Sequence, residues 1–455
     1  MPAIDSSPPN TDAASRQQKA RRLVTAGGDL RLLPVVLVVI LCRAVIAWTW
    51  VVAEEFALGD VPYYWSRISD LAEVGIEMTM REYPTPMVWL FSIPHALSDG
   101  SLESFAAWFV AFILLTDLAF CALIAWSRLP GRGWAITVWS VTCMALGPLI
   151  WLRFDLVPAV IVGAALVLAV RRPGTAGGLL AVGAGTKLWP GVFFPLLLNR
   201  PGGRSATPTW LAPSIGFVGA GIGLVVASLL SGGWTRLISP LVWQSDRGLQ
   251  IESIPATVLM TARAIQPDGW DIGISQYQAF EVFGPGVAAS LVVADVLTLV
   301  CAVLGVAMLF RHWRRAYADG ADWATGAAIA TLAIVGLLIV TNKTLSPQYA
   351  IWLAGPVAAL VAGHRPGVRP AQGRAPIARW TAFLLATAAL THVVFPVLYD
   401  RLNGLADDPV WTPWATVALV ARNLVLVVFV ADVVRCALRS TAVRPHLEEN
   451  PDPSQ

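Results

Sequence analysis

Charged residues are scarce in this sequence. Asp, Glu, Lys and Arg make up only 13% of its 455 residues, whereas 56% are hydrophobic and the mean hydropathy is +0.64. A soluble globular domain carries about 25% charged residues, so this composition excludes a soluble globular protein. The remaining class is that of membrane proteins, which place apolar runs in lipid.

Cysteine and histidine are also rare, with five residues of each. The cysteines lie in or beside apolar runs, without a C-x-x-C pair or a histidine cluster, which predicts buried free thiols and neither a disulfide framework nor a zinc site. The sequence has no P-loop, G-x-G-x-x-G, H-E-x-x-H or G-x-S-x-G motif. We therefore expect no soluble nucleotide chemistry, no nucleic-acid partner and no metal.

What the sequence does contain is a series of apolar runs near 20 residues. Runs of this length cross a bilayer as helices, and these lack the period-2 alternation of barrel strands. They predict an all-α polytopic membrane protein with spans near 32–53, 102–127, 134–151, 156–170, 210–231, 286–310, 323–341, 349–363, 377–397 and 414–434. The apolar stretch 174–198 contains Gly185, Lys187 and Pro190 and has arginines on both flanks, which predicts a broken hairpin. The total is about twelve transmembrane segments.

The basic residues predict the orientation of these spans. They concentrate in the tail 1–31 and then in alternate connections, which the positive-inside rule places in the cytoplasm. The tails 1–31 and 437–455 are then cytoplasmic and, from their polar composition, disordered. The membrane domain covers 32–436, in a plasma membrane. Its longest connections, 54–101 and 232–285, face outside and contain amphipathic pieces that lie in the interface as short helices.

The first outer connection contains an aspartate in a defined turn. Asp60 lies between Gly59 and Pro62 in the stretch GDVPYYW, a few residues after the first span. A carboxylate held near lipid depth is partly desolvated, which raises its pKa toward the range of a general base. The alternative is a solvated turn residue, and the sequence alone leaves both open.

Cations occur in or beside apolar segments on the same side. Lys187 lies inside the hairpin, where a lone ammonium costs roughly 2.5–3.5 kcal/mol on insertion scales. It needs a counter-ion, such as Asp117 or Asp295, or a bound phosphate. Arg247 in DRGLQIES and Lys343 in TNKTLSPQYAIW can also reach a phosphate, although snorkelling lysines are common.

Two further pairs of charged residues can be explained without a functional site. Arg153 and Asp155, in IWLRFDLVP, are consistent with a tight charged turn between two spans. Arg81, in REYPTP, is consistent with a loop ion pair to Glu82 or with the rim of a sugar or anion site.

Three stretches resemble the integral-membrane GT-C glycosyltransferases, in particular the polyprenyl-phosphate-mannose-dependent mannosyltransferases of the family 87 type. They are GDVPYYW with the following REYPTP, GTKLWPGVFFPLLL, and NKTLSPQYAIWL, with DRGLQIES as a supporting match. One departure is Thr85, which stands where the family often has a second proline. The resemblance implies a GT-C-type helical bundle and a site on the outer face.

The resemblance also implies an activity and its residues. A sugar, mannose first and arabinofuranose second, moves from a polyprenyl-phosphate donor to a glycolipid or envelope-glycan acceptor, with inversion to an α-linked product. Asp60 matches the family's catalytic aspartate, and no cofactor besides the donor is implied. We expect the following residues to bind the substrates or the donor phosphate: Lys343, Arg247, Lys187, Gln250, Gln348, Tyr349, Arg81 and Tyr83.

A transporter or flippase of lipid-linked sugars remains the alternative. Such a protein needs charged groups at mid-depth in its core, and Arg43, Asp117, Lys187 and Asp295 are candidates.

Overall fold

The structure is a computed structural model that describes residues 33–53, 59–199, 209–245, 247–275, 279–315, 317, 320–364, 376–406 and 411–439. The predicted tail 1–31 lies outside these residues. Of the predicted tail 437–455, only 437–439 are described, and they end the last helix.

Helices dominate the described chain. In chain order they are α1 (Leu33–Ala53), α2 (Val61–Ser69), α3 (Leu71–Val74), α4 (Thr85–Leu97), α5 (Leu102–Trp126), α6 (Arg132–Leu146), α7 (Leu156–Leu168), α8 (Pro173–Thr186), α9 (Leu211–Ser245), α10 (Thr257–Ile265), α11 (Val287–Arg314), α12 (Gly320–Val340), α13 (Ala350–Gly363), α14 (Ile377–His392), α15 (Tyr399–Asn403) and α16 (Trp411–Arg439). Short 3₁₀ segments occupy Gly147–Ile150, Trp189–Leu197, Pro267–Gly269 and Pro347–Tyr349, and a π turn follows α14 at Val393–Val397.

Eight of the described helices are long and apolar enough to cross a membrane, which supports the predicted class of polytopic helical membrane protein. The predicted number of about twelve segments stays a prediction. Two of the predicted spans, α7 and α13, have only 13 and 14 residues, and nearly all of their side chains are buried. These two helices are therefore surrounded by protein in the described structure.

The centre of the bundle is a contact between α7 and α13. A Cβ on Gly355 would lie 2.5 Å from the Ala159 carbonyl oxygen, and one on Gly163 would lie 3.0 Å from the Gly355 Cα. Only glycine permits so close a backbone approach, which is the usual way to pack helices in lipid. This contact holds the N-terminal end of α7 beside the N-terminal end of α13.

The predicted break at Lys187 is present. Helix α8 ends at Thr186 and the 3₁₀ segment begins at Trp189, while Lys187 has extended backbone angles of φ −152° and ψ 132°. Pro190, in the first turn of the 3₁₀ segment, has no backbone N–H and cannot continue the hydrogen bonding of α8. The lysine is therefore held at a corner, where its side chain leaves the helix axis.

The two predicted outer connections are more structured than the sequence indicated. Helix α9 extends to Ser245 across a break at Gly233, where φ is +70°. Two short antiparallel strands, β1 (Asp271–Ile274) and β2 (Phe280–Phe283), form a hairpin in which Ile272 pairs with Val282. The all-α prediction missed this hairpin, which packs with parts of α10, α15 and α16 around a small apolar core.

The candidate active site

Asp60 is the N-cap residue of α2, yet its carboxylate does not cap the helix. An N-cap aspartate normally accepts a hydrogen bond from a backbone N–H of the first turn. Here one carboxylate oxygen contacts the Arg153 guanidinium in an ion pair, and the other accepts a hydrogen bond from the Tyr64 hydroxyl at 3.2 Å. The Asp60 side chain remains 32% exposed. Asp60 is therefore paired and still accessible. A general base must be accessible, because it has to reach the proton that it abstracts.

Glycine places this carboxylate against the turn that contains Arg153. Gly59 has φ +62°, and a Cβ there would lie 3.0 Å from the Leu152 carbonyl oxygen and 3.2 Å from the Arg153 Nε. Pro62 in the first turn of α2 fixes the direction of the helix away from this contact. Gly59 and Pro62, which identify the turn in the sequence, also position the ion pair.

Lys187 forms a second ion pair close by. Its Nζ lies 2.6 Å from the Asp155 Oδ1 and 4.9 Å from the ring centroids of both Tyr349 and Trp352. The Trp352 indole donates a second hydrogen bond to the same aspartate oxygen at 2.8 Å. The predicted counter-ions Asp117 and Asp295 are thus wrong for Lys187, because the break in the hairpin directs its side chain toward the turn before α7.

A third ion pair joins the second connection to α16. Glu252 is fully buried, and the Arg422 Nη2 donates to its carboxylate at 3.2 Å and to its backbone carbonyl at 3.0 Å. Gln250 donates to the other Glu252 oxygen at 3.4 Å, while its backbone N–H donates to the Lys343 carbonyl at 3.0 Å. Burial raises the pKa of Glu252, although Arg422, Gln250 and Arg153 oppose this shift.

Arg153 connects the three pairs. Besides its contact with Asp60, it is close enough to Asp155 and Glu252 for both carboxylates to favour its charged form. Burial lowers the pKa of Arg153 to about 10, which still leaves it protonated at neutral pH. We call this arrangement the six-charge site. It consists of three carboxylates and three cations, namely Asp60, Asp155, Glu252, Arg153, Lys187 and Arg422.

Aromatic residues form one wall of the six-charge site. Tyr64 is fully buried, stacks on Phe91 at 4.4 Å between ring centroids, and meets Tyr83 edge-on at 6.4 Å. Burial raises the pKa of Tyr64 and of Tyr83 well above the ordinary value, and the negative charge of Asp155 adds to both shifts. Both phenols therefore stay protonated, and Tyr64 acts as a donor to Asp60.

The structure brings together several predicted site residues. Asp60, Tyr83, Lys187 and Tyr349 surround one region, and Gln250 joins it through Glu252. Lys343 reaches the same region with its backbone carbonyl, which accepts from the Gln250 N–H.

The remaining predicted residues, Arg81, Arg247 and Gln348, have other surroundings. The Arg81 guanidinium is 6.0 Å from the ring centroid of Trp243. Arg247 is half-buried at the start of the segment that leads to Gln250. The amide oxygen of Gln348 is buried and has no hydrogen-bond partner among the residues that the structure describes.

Sequence reasoning missed several members of the site. Arg153 and Asp155 had a simpler explanation as a charged turn, Glu252 was noted in DRGLQIES but not assigned a role, and Arg422 was not identified. Arg422 lies within an apolar helix, so the insertion cost that identified Lys187 would also have identified it. Glu252 carries no such signal, because its segment is a polar connection in the sequence.

The 76–83 segment beside the site is fixed by another buried arginine. Arg236, in the part of α9 beyond the break, donates to the carbonyl oxygens of Ile76, Met80 and Tyr83 at 3.0, 3.2 and 2.8 Å. These bonds satisfy backbone groups that would otherwise be orphaned in a buried loop. Arg236 thereby orders the loop that carries Tyr83.

In the described part of the chain, no three His, Cys, Asp or Glu side chains are grouped as a metal site requires. Comparison with known families identifies a match. The model of glycosyltransferase family 87 matches residues 82–341, which is more than half of the chain and includes Tyr83, Arg153, Lys187 and Glu252 but not Asp60. No curated protein and no solved structure matches the chain significantly.

Proposed function

The chain belongs to glycosyltransferase family 87, and we propose that it transfers a sugar from a polyprenyl-phosphate donor to a hydroxyl group of a lipid-linked or envelope-glycan acceptor. Mannose is the first choice of sugar and arabinofuranose the second, on the resemblance of its motifs. The membrane-length helices support a donor that reaches the site from the bilayer.

The observation that carries this proposal is the accessible Asp60 carboxylate beside a cluster of cations. A sugar hydroxyl is a poor nucleophile, and a positioned general base contributes about 10²–10⁴-fold to the rate of such an attack. Asp60 accepts the acceptor's proton while the acceptor oxygen attacks the anomeric carbon. A single displacement of this kind inverts the anomeric configuration, so a β-linked donor gives an α-linked product.

The departing phosphate needs positive charge as its bond to the sugar breaks. Fixed cations in a site with little water stabilise developing negative charge more strongly than cations in solution do. Arg153 contacts Asp60, and Lys187 contacts Asp155. The Lys343 carbonyl accepts from the Gln250 N–H, and Arg247 lies three residues before Gln250. We assign the phosphate to this set. We also place the site on the outer face of a plasma membrane, because the basic connections are at the other ends of the spans.

The test is transfer by the Asp60→Asn variant in membrane vesicles. Radiolabelled polyprenyl-phosphate mannose and polyprenyl-phosphate arabinofuranose are supplied in parallel, and labelled glycolipid is quantified. We expect a loss of about 10²–10⁴-fold, because asparagine cannot take the proton. The matched control is Asp70→Asn, which removes a carboxylate at the exposed end of the same helix and should transfer normally. Near-normal transfer by Asp60→Asn would contradict the assignment.

A further inference from the structure

The cations of the six-charge site differ in how firmly each is held. Lys187 has its carboxylate at 2.6 Å and two aromatic rings over its ammonium. Arg422 donates to two oxygens of Glu252, and its side chain is 2% exposed. Both cations neutralise buried carboxylates, which would be left uncompensated without them.

Arg153 is held less firmly. Its carboxylate partner, Asp60, is 32% exposed and can be solvated when it is alone. The carboxylate partners of Lys187 and Arg422 are by contrast 2% and 0% exposed. Arg153 is thus the cation of this site that can be redirected at the smallest cost.

The charges of the site also balance before any substrate arrives. Within the six-charge site three carboxylates face three cations, so a donor phosphate that contacts these cations adds a negative charge to a balanced set. Each of these cations is then shared between its carboxylate and the phosphate. Lys187 and Arg422 are shared with buried carboxylates, whereas Arg153 is shared with an exposed one, so the phosphate competes most effectively with Asp60, for the guanidinium of Arg153.

Resting on the proposed function, we propose that the donor phosphate draws Arg153 away from Asp60 and that donor binding thereby releases the catalytic base. In the resting enzyme the guanidinium lies beside the carboxylate, and a neighbouring cation favours the ionised form of a carboxylate. When the phosphate takes the guanidinium, Asp60 is left ionised without its cation beside the acceptor hydroxyl. A base that is released only by donor binding would also limit proton abstraction when no donor is present.

The charge movements of the reaction agree with this exchange. The acceptor oxygen forms a bond to the anomeric carbon as its proton moves to Asp60. The bond from that carbon to the phosphate oxygen breaks, and its electron pair leaves with the polyprenyl phosphate. Negative charge is lost at Asp60 and gained at the phosphate, so a guanidinium that moves from the first to the second follows the charge.

The groups that face Asp60 and Arg153 belong to several elements of the structure. Tyr64 donates to Asp60, while Asp155, Tyr399, Glu252 and Tyr349 all favour the charged form of Arg153. None of these neighbours is an additional cation that could replace Arg153 at Asp60.

The exchange makes a prediction about binding, which is reciprocal between competing partners. The probe is a fluorescent polyprenyl monophosphate without a sugar, titrated into the full-length protein in nanodiscs, with the matching polyprenol as the uncharged control. Removing the competing carboxylate in Asp60→Asn should tighten probe binding by about tenfold, within the roughly 5–150-fold range of such couplings. Asp70→Asn, which removes the same charge at an exposed position, should not change the dissociation constant.

A double-variant cycle assigns this effect to Arg153. In an Arg153→Gln background, Asp60→Asn should leave the dissociation constant nearly unchanged, whereas in an Arg153→Lys background, which keeps the charge, the tightening should persist. Equal or weaker binding by Asp60→Asn, or the same tightening in the Arg153→Gln background, overturns the inference. A wild-type protein that prefers the polyprenol to the monophosphate would instead contradict the proposed function.

A measurement on the unaltered enzyme keeps the inference testable if Arg153→Gln fails to fold. The pH profile of kcat/KM for the donor reports the free enzyme, and that for the acceptor at saturating donor reports the donor complex. Because donor binding removes the cation from Asp60, the acidic limb should lie at higher pH in the second profile. Coincident limbs, or a shift to lower pH, would contradict the release of the base.

Discussion

Two of the arginine–aspartate pairs of this protein, Arg43–Asp117 and Arg153–Asp60, are alike in chemistry and different in surroundings. Asp117 is fully buried and accepts three hydrogen bonds, from Arg43 at 3.0 and 2.6 Å and from the Trp139 indole at 2.7 Å. Asp60 is 32% exposed and accepts from Tyr64 besides its contact with Arg153. The first pair is enclosed by helices, whereas the second borders an accessible site.

The difference shows how burial distinguishes an ion pair that stabilises the fold from one that can take part in a reaction. A buried charge that loses its partner is strongly destabilising, so the Arg43–Asp117 pair is fixed as long as the bundle is folded. A carboxylate that water can reach tolerates the loss of its partner, so its partner can be shared with a substrate. The enclosed pair also accounts for two of the charges that suggested a transporter, because they neutralise each other inside the bundle.

The largest effect on stability is expected at the enclosed pair. Asp117→Ala leaves the Arg43 guanidinium buried without its counter-ion, which should destabilise the fold by about 3–5 kcal/mol. The measurement is the apparent melting temperature of purified protein in nanodiscs, with the yield of inserted protein as a second readout. An unchanged melting temperature would show that Arg43 finds another partner or water.

The matched control removes both charges of that pair. Arg43→Leu combined with Asp117→Leu replaces a buried ion pair by apolar side chains, which is often neutral or stabilising. We expect the double variant to recover most of the stability lost by Asp117→Ala and to transfer sugar normally. If it stays as unstable as the single variant, then the Trp139 hydrogen bond carries the stability instead of the charge balance.

The sequence predicted the helices and some of the charged residues, but not the partners of those residues. All ten predicted spans correspond to helices, because long apolar runs identify their helices directly. Lys187 was identifiable because a lone ammonium in an apolar segment needs a partner. The identity of that partner depends on how α7, α8 and α13 pack, and no local pattern encodes it.

Local patterns failed most at the second connection. The strands β1 and β2 have four residues each, too short for a clear alternation, and they pack on a core made by distant segments. Glu252 is buried there, and its ion-pair partner Arg422 lies in α16, 170 positions further along the chain. Its role could not be read from neighbours in the sequence.

An intermediate effect is expected at the Lys187–Asp155 pair, whose aspartate side chain is only 2% exposed. Lys187→Met leaves Asp155 with the Trp352 indole as a remaining donor, so we expect a loss of about 1–3 kcal/mol in stability. Adding Asp155→Asn removes the uncompensated charge and should restore part of that loss. Thermal unfolding of the single and double variants tests this order, and a double variant less stable than Lys187→Met would contradict it.

The smallest effect on stability is expected at Asp60 itself. A partly exposed ion pair contributes about 0–1 kcal/mol, so Asp60→Asn should melt close to the wild type and to Asp70→Asn, which lies on the solvated end of the same helix. The same variant should lose almost all transfer. If Asp60→Asn instead unfolds as Asp117→Ala does, the two pairs are both structural, and the loss of transfer carries no information about a base. A stable and inactive Asp60→Asn beside an unstable Asp117→Ala would separate the pair that holds the fold from the pair that serves the reaction.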